Sequence, residues 1–285
     1  MRWRRRRRRR IAVLFHERQG PERAVHYAIH HLAELWRADG LDVVYLFGVG
    51  EFVPADVAIV HIDLSVVPDE YLDFARRYPV AVNGEVRDIR KSRYSTLRVA
   101  RDTDHDGPVI VKSNFNYAGV PERLLGLSNR PVEFAAQTDY RVYDSVAAVP
   151  PHVFEDDGLI VERFIPEYEN GRYHVRTLDL VGDRHTSLRV SSDHHVVSEA
   201  TYAAHVEVEP PAELFQFRRQ VGLDYGKIDY VVHDGAVMVL DVNKTTGASS
   251  AQAGPELEAK RRHRAEGVHH FLRQAPRRAV RKQRQ

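Results

Sequence analysis

Two hydrophobic periods alternate along the first third of the chain. Ile11 to Phe15 is an unbroken apolar run, followed by a turn at Gly20 and Pro21, and Ala24 to Ala38 then shows helical spacing. Val43 to Phe47 and Val57 to Ile62 repeat the short apolar run. Pro68 to Tyr78 reads as a polar helix with an apolar side at Tyr71, Leu72 and Ala75, and Val80 to Val82 as a further strand. Strands alternating with helices predict a small parallel α/β lobe. Beyond Lys91 the pattern changes. Strand-like runs at Val109–Lys112, Leu159–Phe164, Val175–Val181, Ser187–Val190, Ile228–Val232 and Val237–Val242, several joined by turns such as Gly182-Asp183 and Asp234-Gly235, predict antiparallel sheet. Residues 251–285 read as a basic helix with docking positions at Leu257, Val268, Phe271 and Leu272, running into a disordered end.

With 285 residues, 43% of them hydrophobic, the chain has enough core to fold unaided, and the absence of cysteine excludes a disulfide scaffold. No apolar run approaches the roughly 20 residues of a membrane helix, and the start lacks a secretory signal, so a cytoplasmic protein with no membrane contact is expected. The net charge of +2 conceals a segregation: residues 1–10 carry +8, residues 260–285 carry +9, and residues 11–259 carry −15. An acidic folded part argues against nucleic acid as the main partner, because phosphate neutralisation needs cations on a folded face. The tails alone could attract polyanions, and residues 1–10 are expected to be a solvated, disordered extension.

Several chemistries fail on inspection. The first strand leads into H-E-R-Q-G-P, with one glycine where a dinucleotide-binding turn needs several, and the G-V-G at Gly48 to Gly50 follows the wrong strand. His26 and His30 have a metal-pair spacing without the H-E-x-x-H context, so with His31 they read as an ordinary helix face. His194 and His195 read as exposed turn residues. No cysteine and no G-x-S-x-G elbow is present.

The informative segment is Gly222 to Gly247, G-L-D-Y-G-K-I-D-Y-V-V-H-D-G-A-V-M-V-L-D-V-N-K-T-T-G. It reads as a hairpin with Asp229 in its first strand, the turn at Asp234-Gly235, and Asp241 and Asn243 two apart on one face of the second. Two carboxylates and an amide oxygen form a hard-oxygen site, which suits Mg²⁺ (or Mn²⁺) bridging nucleotide phosphates.

This segment resembles the ATP-grasp superfamily, in which an acid on one strand and an acid-x-Asn on its neighbour hold magnesium. The upstream runs V-I-V-K-S at 109–113, I-V-E-R-F-I-P-E at 160–167 and G-R-Y-H-V-R-T-L-D-L-V-G-D at 171–183 extend the resemblance over roughly residues 80–250. It implies an α/β N-terminal domain at 11–88, a two-lobed ATP-grasp domain with antiparallel sheets at 89–250, and tails at 1–10 and 251–285. It also implies that Lys91 and Lys112 contact nucleotide phosphate, that Glu162, Arg163, Phe164 and Ile165 form the hinge against adenine, and that Glu169, or else His174, meets the ribose. Arg176 and Arg189, on strands expected to face the cleft, are implied as cations for the acidic substrate or the transferred phosphoryl group. Three features depart from the family pattern. The loop after Lys112 holds only Gly119, Asp241 replaces the commoner glutamate, and the closing turn is T-T-G.

The resemblance implies an ATP- and magnesium-dependent ligase that joins small-molecule or peptide carboxylates to amines through an acyl phosphate, with homodimerisation compatible. Two alternatives stand beside it: an ATP-grasp kinase acting on a small-molecule hydroxyl, and a non-catalytic nucleotide-binding module whose basic tails hold a polyanion.

Overall fold

The computed structural model describes residues 8–130, 134, 139–198, 200–248 and 254–276. The first lobe comprises β1 (Arg10–Phe15), α1 (Pro21–Ala24), α2 (Ala28–Ala38), β2 (Asp42–Phe47), β3 (Val57–Val60), α3 (Asp69–Ala75) and β4 (Ala81–Val82). Its sheet is parallel in the order β2-β1-β3-β4. β1 is apolar on both faces because helices cover both. Ile11, Val13 and Phe15 pack under α2 through Ile29, Leu32, Ala33 and Trp36, while Ala12 and Leu14 face Tyr71, Leu72 and Ala75 of α3.

Three sequence expectations change here. The helix expected from Ala24 to Ala38 is broken at Val25 to Tyr27, because the loop after the last strand captures that backbone: Ala28 N donates to Thr246 O (2.9 Å) and Ala248 N to His26 O (2.8 Å). His26 and His30 therefore do not share a helix. The expected disordered extension also ends earlier than residue 10. Arg10 opens β1 with its N–H on Asp56 (2.8 Å) and its Nε on Asp42 (2.6 Å). Residues 1–7 lie outside the described residues.

The small antiparallel sheet is built from β5 (Val109–Ser113), β6 (Arg141–Tyr143) and β7 (Leu159–Arg163), with β5 central. Short helices α4 (Val120–Leu124) and α5 (Pro151–Glu155) flank it. The large sheet runs β11-β10-β9-β12-β13, with β8 paired to β9. Its strands are β8 (Glu167–Glu169), β9 (Arg172–Val181), β10 (Arg184–Ser192), β11 (Ala204–Glu207), β12 (Tyr225–His233) and β13 (Ala236–Asn243); α6 (Ala212–Gln220) covers one face. The chain thus combines a parallel α/β lobe with two antiparallel sheets, as the strand pattern predicts.

The expected single C-terminal helix is two, α7 (Pro255–Ala265) and α8 (Val268–Gln274), which turn at Glu266 and Gly267. Val268 and Phe271 are buried against the first lobe, Trp36 Nε1 donates to Ala265 O (2.8 Å), and Arg9 donates through Nη2 to Leu272 O and Ala275 O at the end of α8. Residues 277–285 lie outside the described residues. No helix among the described residues is long and apolar enough to cross a membrane.

Asn83 clasps the first lobe to the large sheet. Fully buried at φ 57°, it donates from Nδ2 to Tyr225 O (2.8 Å) and accepts at Oδ1 from Asp224 N (2.9 Å) and Tyr225 N (3.1 Å). An Asn83→Ala variant removes all three bonds from buried backbone groups, and its unfolding free energy should fall by about 2–4 kcal/mol in a denaturant titration.

His61, at the end of β3, is fully buried with neither ring nitrogen hydrogen-bonded, and burial pushes its pKa down to about 3. The folded state therefore excludes a proton that the unfolded chain takes up below its ordinary value near 6.5, so stability drains as pH falls from 6.5 toward 3. Comparing the wild type with His61→Phe in urea melts, the gap in stability should shift by about 2–3 kcal/mol in favour of the variant between pH 6.5 and pH 4.5. Parallel curves would show that His61 titrates normally.

Candidate active site

A cleft separates the small sheet from the large one. Ile110 and Lys112 of β5 and Glu162 and Arg163 of β7 form one wall, Phe164 to Pro166 continue from it, and Asp229, Val231 and Asp241 of β12 and β13 form part of the other. Lys112 Nζ pairs with the fully buried carboxylate of Glu162 at the base of the small sheet. Their positions follow from register, since Lys112 lies opposite Ile160 and Ile110 opposite Glu162 in adjacent strands.

The hairpin of the large sheet brings charge to the facing wall. In the β12–β13 ladder Asp229 lies opposite Asp241 and Lys227 opposite Asn243, which sets all four on one face of the hairpin. Gly226 permits this ladder at a close approach, because at φ 148° a Cβ there would stand 2.3 Å from Asn243 O. Lys227 Nζ is 2.9 Å from Asp229 Oδ2. Lys91, in a short 3-10 turn at Lys91–Arg93, is 3% exposed and places Nζ 2.9 Å from Asp241 Oδ1 and 3.1 Å from Phe115 O. Burial works against both ammonium groups, but the carboxylates beside them more than offset it, and both lysines are held above their ordinary values. Asp229 moves up, first through burial and then through the charge of Asp241, with Lys227 opposing. Its Oδ1 is buried without a hydrogen-bond partner. Tyr94 steadies Asp241: its hydroxyl accepts from Val242 N (3.1 Å) and reaches Asp241 Oδ1 (3.4 Å).

The structure therefore gathers Lys91, Lys112, Glu162, Arg163, Phe164, Ile165, Asp229 and Asp241 around one cleft. Other expected residues stand elsewhere. Asn243 Oδ1 is turned to Thr245, accepting from its N–H at 2.8 Å, and no set of three or more His, Cys, Asp or Glu groups at metal-binding spacing is found among the described residues. Arg176 and Arg189, expected to face the cleft, are register partners on β9 and β10 and lie on the face of Leu178, Ile228 and Tyr230, which packs toward α6. Strand alternation accounts for the reversal, because Arg176 is one residue from Thr177, the partner of Asp229. Both arginines are held by Glu167, at 3.0 Å from Arg176 Nη2 and 2.6 Å from Arg189 Nε. Burial alone would raise that carboxyl, but the two guanidinium groups bring it below its ordinary value. Glu169 pairs with Arg189 at 2.6 Å and is absent from the cleft lining, whereas His174 belongs to it.

Lys227 and Tyr94 carry no expectation from the sequence, and the exposed position expected of His195 is not the one it takes. Lys227 is legible in principle, two residues before Asp229 and hence on its face. Tyr94 carries no pattern, because its role depends on a strand nearly 150 residues away. His195, expected in an exposed turn, is half-buried in the cleft wall with Nε2 3.1 Å from Tyr140 O. The glycine-poor loop after Lys112 reaches its shape with three successive left-handed residues, Tyr117, Ala118 and Gly119, at φ 45°, 53° and 70°.

No protein-family model matches the sequence, and no curated protein matches it. Solved structures do. The RimK domain ATP-grasp protein from Sphaerobacter thermophilus aligns over 92% of this chain and 99% of its own at 12% identity (TM-score 0.48), and D-alanine–D-alanine ligase from Bacillus anthracis complexed with ATP over 94% and 97% at 16% identity (TM-score 0.47). D-alanyl-alanine synthetase A from Vibrio cholerae aligns over 94% and 98% at 12% identity with a TM-score of 0.52. A parallel α/β lobe, a small antiparallel sheet and a large one facing it across a charged cleft, aligned with the last of these structures over 94% of this chain, give it an ATP-grasp fold.

Proposed function

We propose that this chain is an ATP-dependent ligase that joins a carboxylate to an amine through an acyl phosphate. The observation that carries the reading is the pairing of Asp229 and Asp241 with Lys227 and Lys91 beside a cleft that is also lined by the apolar strip Phe164 to Pro166. A nucleotide laid along such a cleft has its base against the strip and its phosphates among the charges.

The residues present fit a divalent cation. Asp229 offers a buried oxygen without a partner, and Asp241 stands opposite it. Asp229, Asp241 and, once its amide turns from Thr245, Asn243 would hold a magnesium ion, which supplies charge neutralisation on phosphate oxygens. A set with so few protein ligands suits an ion that completes its shell from water and phosphate. Lys91, Lys112 and Lys227 add positive charge along the path of the γ-phosphoryl group, in a cleft where such charges act strongly. A carboxylate oxygen of the acid attacks the γ-phosphorus and the bond to ADP breaks. The amine nitrogen then attacks the acyl carbon, phosphate leaves, and the nitrogen gives up a proton. No protein nucleophile takes part. Arg176 and Arg189, held by Glu167 on the other face, brace the large sheet in this scheme. A cytoplasmic setting supplies the ATP.

Incubation with Mg-ATP and panels of amino acids and short peptides should release ADP and free phosphate in equal amounts together with an amide product. A phosphorylated alcohol without free phosphate would identify a kinase instead. No ADP release and no heat on titration with Mg-ATP would remove the reading altogether.

Asp241→Asn and Lys227→Met should each lower turnover by about 100-fold or more, while the melting midpoint stays within a few degrees of wild type. Lys91→Met should cost turnover and also about 3–5 kcal/mol of stability, because it leaves Asp241 without its buried counter-ion. Arg189→Ala should leave turnover within about threefold of wild type, as expected of a charge on the far side of the sheet; a loss comparable to that of Lys227→Met would return Arg189 to the chemistry.

A further inference from the structure

A second, more open concavity adjoins the cleft. It shares Tyr140, Phe164, Tyr173 and His195 with the cleft, extends over Arg141, Val142 and Tyr143 of β6, and is broadly open to solvent. The concavity is walled by rings. Phe164 meets His195 edge-on with centroids 6.0 Å apart, and Tyr173 meets the same imidazole at 6.4 Å and 74°. The imidazole is fixed from behind by its Nε2 on Tyr140 O. Val142 forms part of the floor. It is the register partner of Ile110, which lines the cleft, and it is 38% exposed, one of the few large apolar side chains left open in the described residues.

Most aromatic side chains of this size are covered by other side chains, because uncovered rings leave apolar surface in water. Here the rings are only half-buried, they converge on one space, and that space is continuous with the place where a nucleotide base would lie. One adenine ring does not fill both concavities.

We infer that this annex receives a planar aromatic ring carried on the edge of the purine that faces residues 162–165, so that the cleft takes adenine nucleotides extended at N6 or C2. The inference rests on reading the cleft as the nucleotide site. Phe164 belongs to the strip beside the base and lines both concavities, so a substituent on the edge facing that strip passes into the annex rather than into the protein. Once there, its ring lies over Val142 and against the faces and edges of Tyr173 and His195, an arrangement in which aromatic quadrupoles attract at offset or perpendicular geometry.

The test is calorimetric titration of the full chain, in the presence of magnesium, with ATP, N6-benzyl-ATP and 2-benzylthio-ATP. At least one extended nucleotide should bind as tightly as ATP or up to about tenfold more tightly, the gain that one or two ring contacts provide. Val142→Arg, at an exposed position outside the cleft lining, should weaken that extended nucleotide by about tenfold or more and leave ATP within about twofold of wild type. Two results would overturn the annex while sparing the cleft: both extended nucleotides binding more than about tenfold weaker than ATP, as a closed base pocket would require, or tight binding indifferent to Val142→Arg. Failure of ATP itself to bind would overturn the nucleotide reading, and the annex with it.

Discussion

Asp229 and Asp241 stand opposite each other in one antiparallel ladder, and two negative charges at that spacing repel. A hairpin of this kind forms only if positive charge is brought to it. Lys227 comes from the same strand, and Lys91 comes from a turn between the first lobe and the small sheet, nearly 150 residues earlier in the chain. The second lysine makes the cleft a shared construction. The segment that carries Lys91 also donates to Phe115 O, at the start of the loop after β5, so the charge balance of β13 is tied to the position of the small sheet. Anything that adds positive charge beside the two carboxylates competes with these ammonium groups, and anything anionic is drawn to them. Charge balance and domain position are therefore coupled through the same few atoms.

Much of this arrangement is legible in the sequence because it is written in strand periods. The parallel lobe, the antiparallel strands, and the pairing of Asp229 with Asp241 across a turn at Asp234-Gly235 all follow from alternation and turn residues. The reading fails where a side chain's direction depends on a residue count of one. Arg176 and Arg189 lie on the expected strands and on the opposite face, since a single step along β9 separates them from the face of Thr177. It fails again where a backbone partner comes from far away, as when the loop at Thr246 to Ala248 interrupts the first helix. Tyr94 and Asn83 are silent, and His195 is expected in an exposed turn, for the same reason: each acts through a backbone group of another lobe or strand, and local composition carries no trace of such a partner.

The lobes are held together by polar groups as well as by apolar burial. Asn83 mimics a strand neighbour by offering Tyr225 both an acceptor and a donor. Thr245 links Asn243 to Asp63 through its hydroxyl (2.6 Å), and Asp63 in turn accepts from Tyr27 (2.7 Å). Lys244 beside it is fully buried, donates to Leu64 O, and is depressed by burial to about 8. These contacts gather at the carboxyl ends of β1 and β3, where a parallel sheet reverses its strand order and leaves a crevice. The loop that follows β13 is thus a structural partner of the first lobe, tied to it through Lys244 and Thr245.

The guanidinium of Arg9 on the terminal carbonyls of α8 has a topological meaning. It makes the chain from residue 9 to residue 275 a ring closed by a side chain. Closing so long a loop restricts the collapsed chain more than any local turn does, at an entropic cost that grows only with the logarithm of loop length.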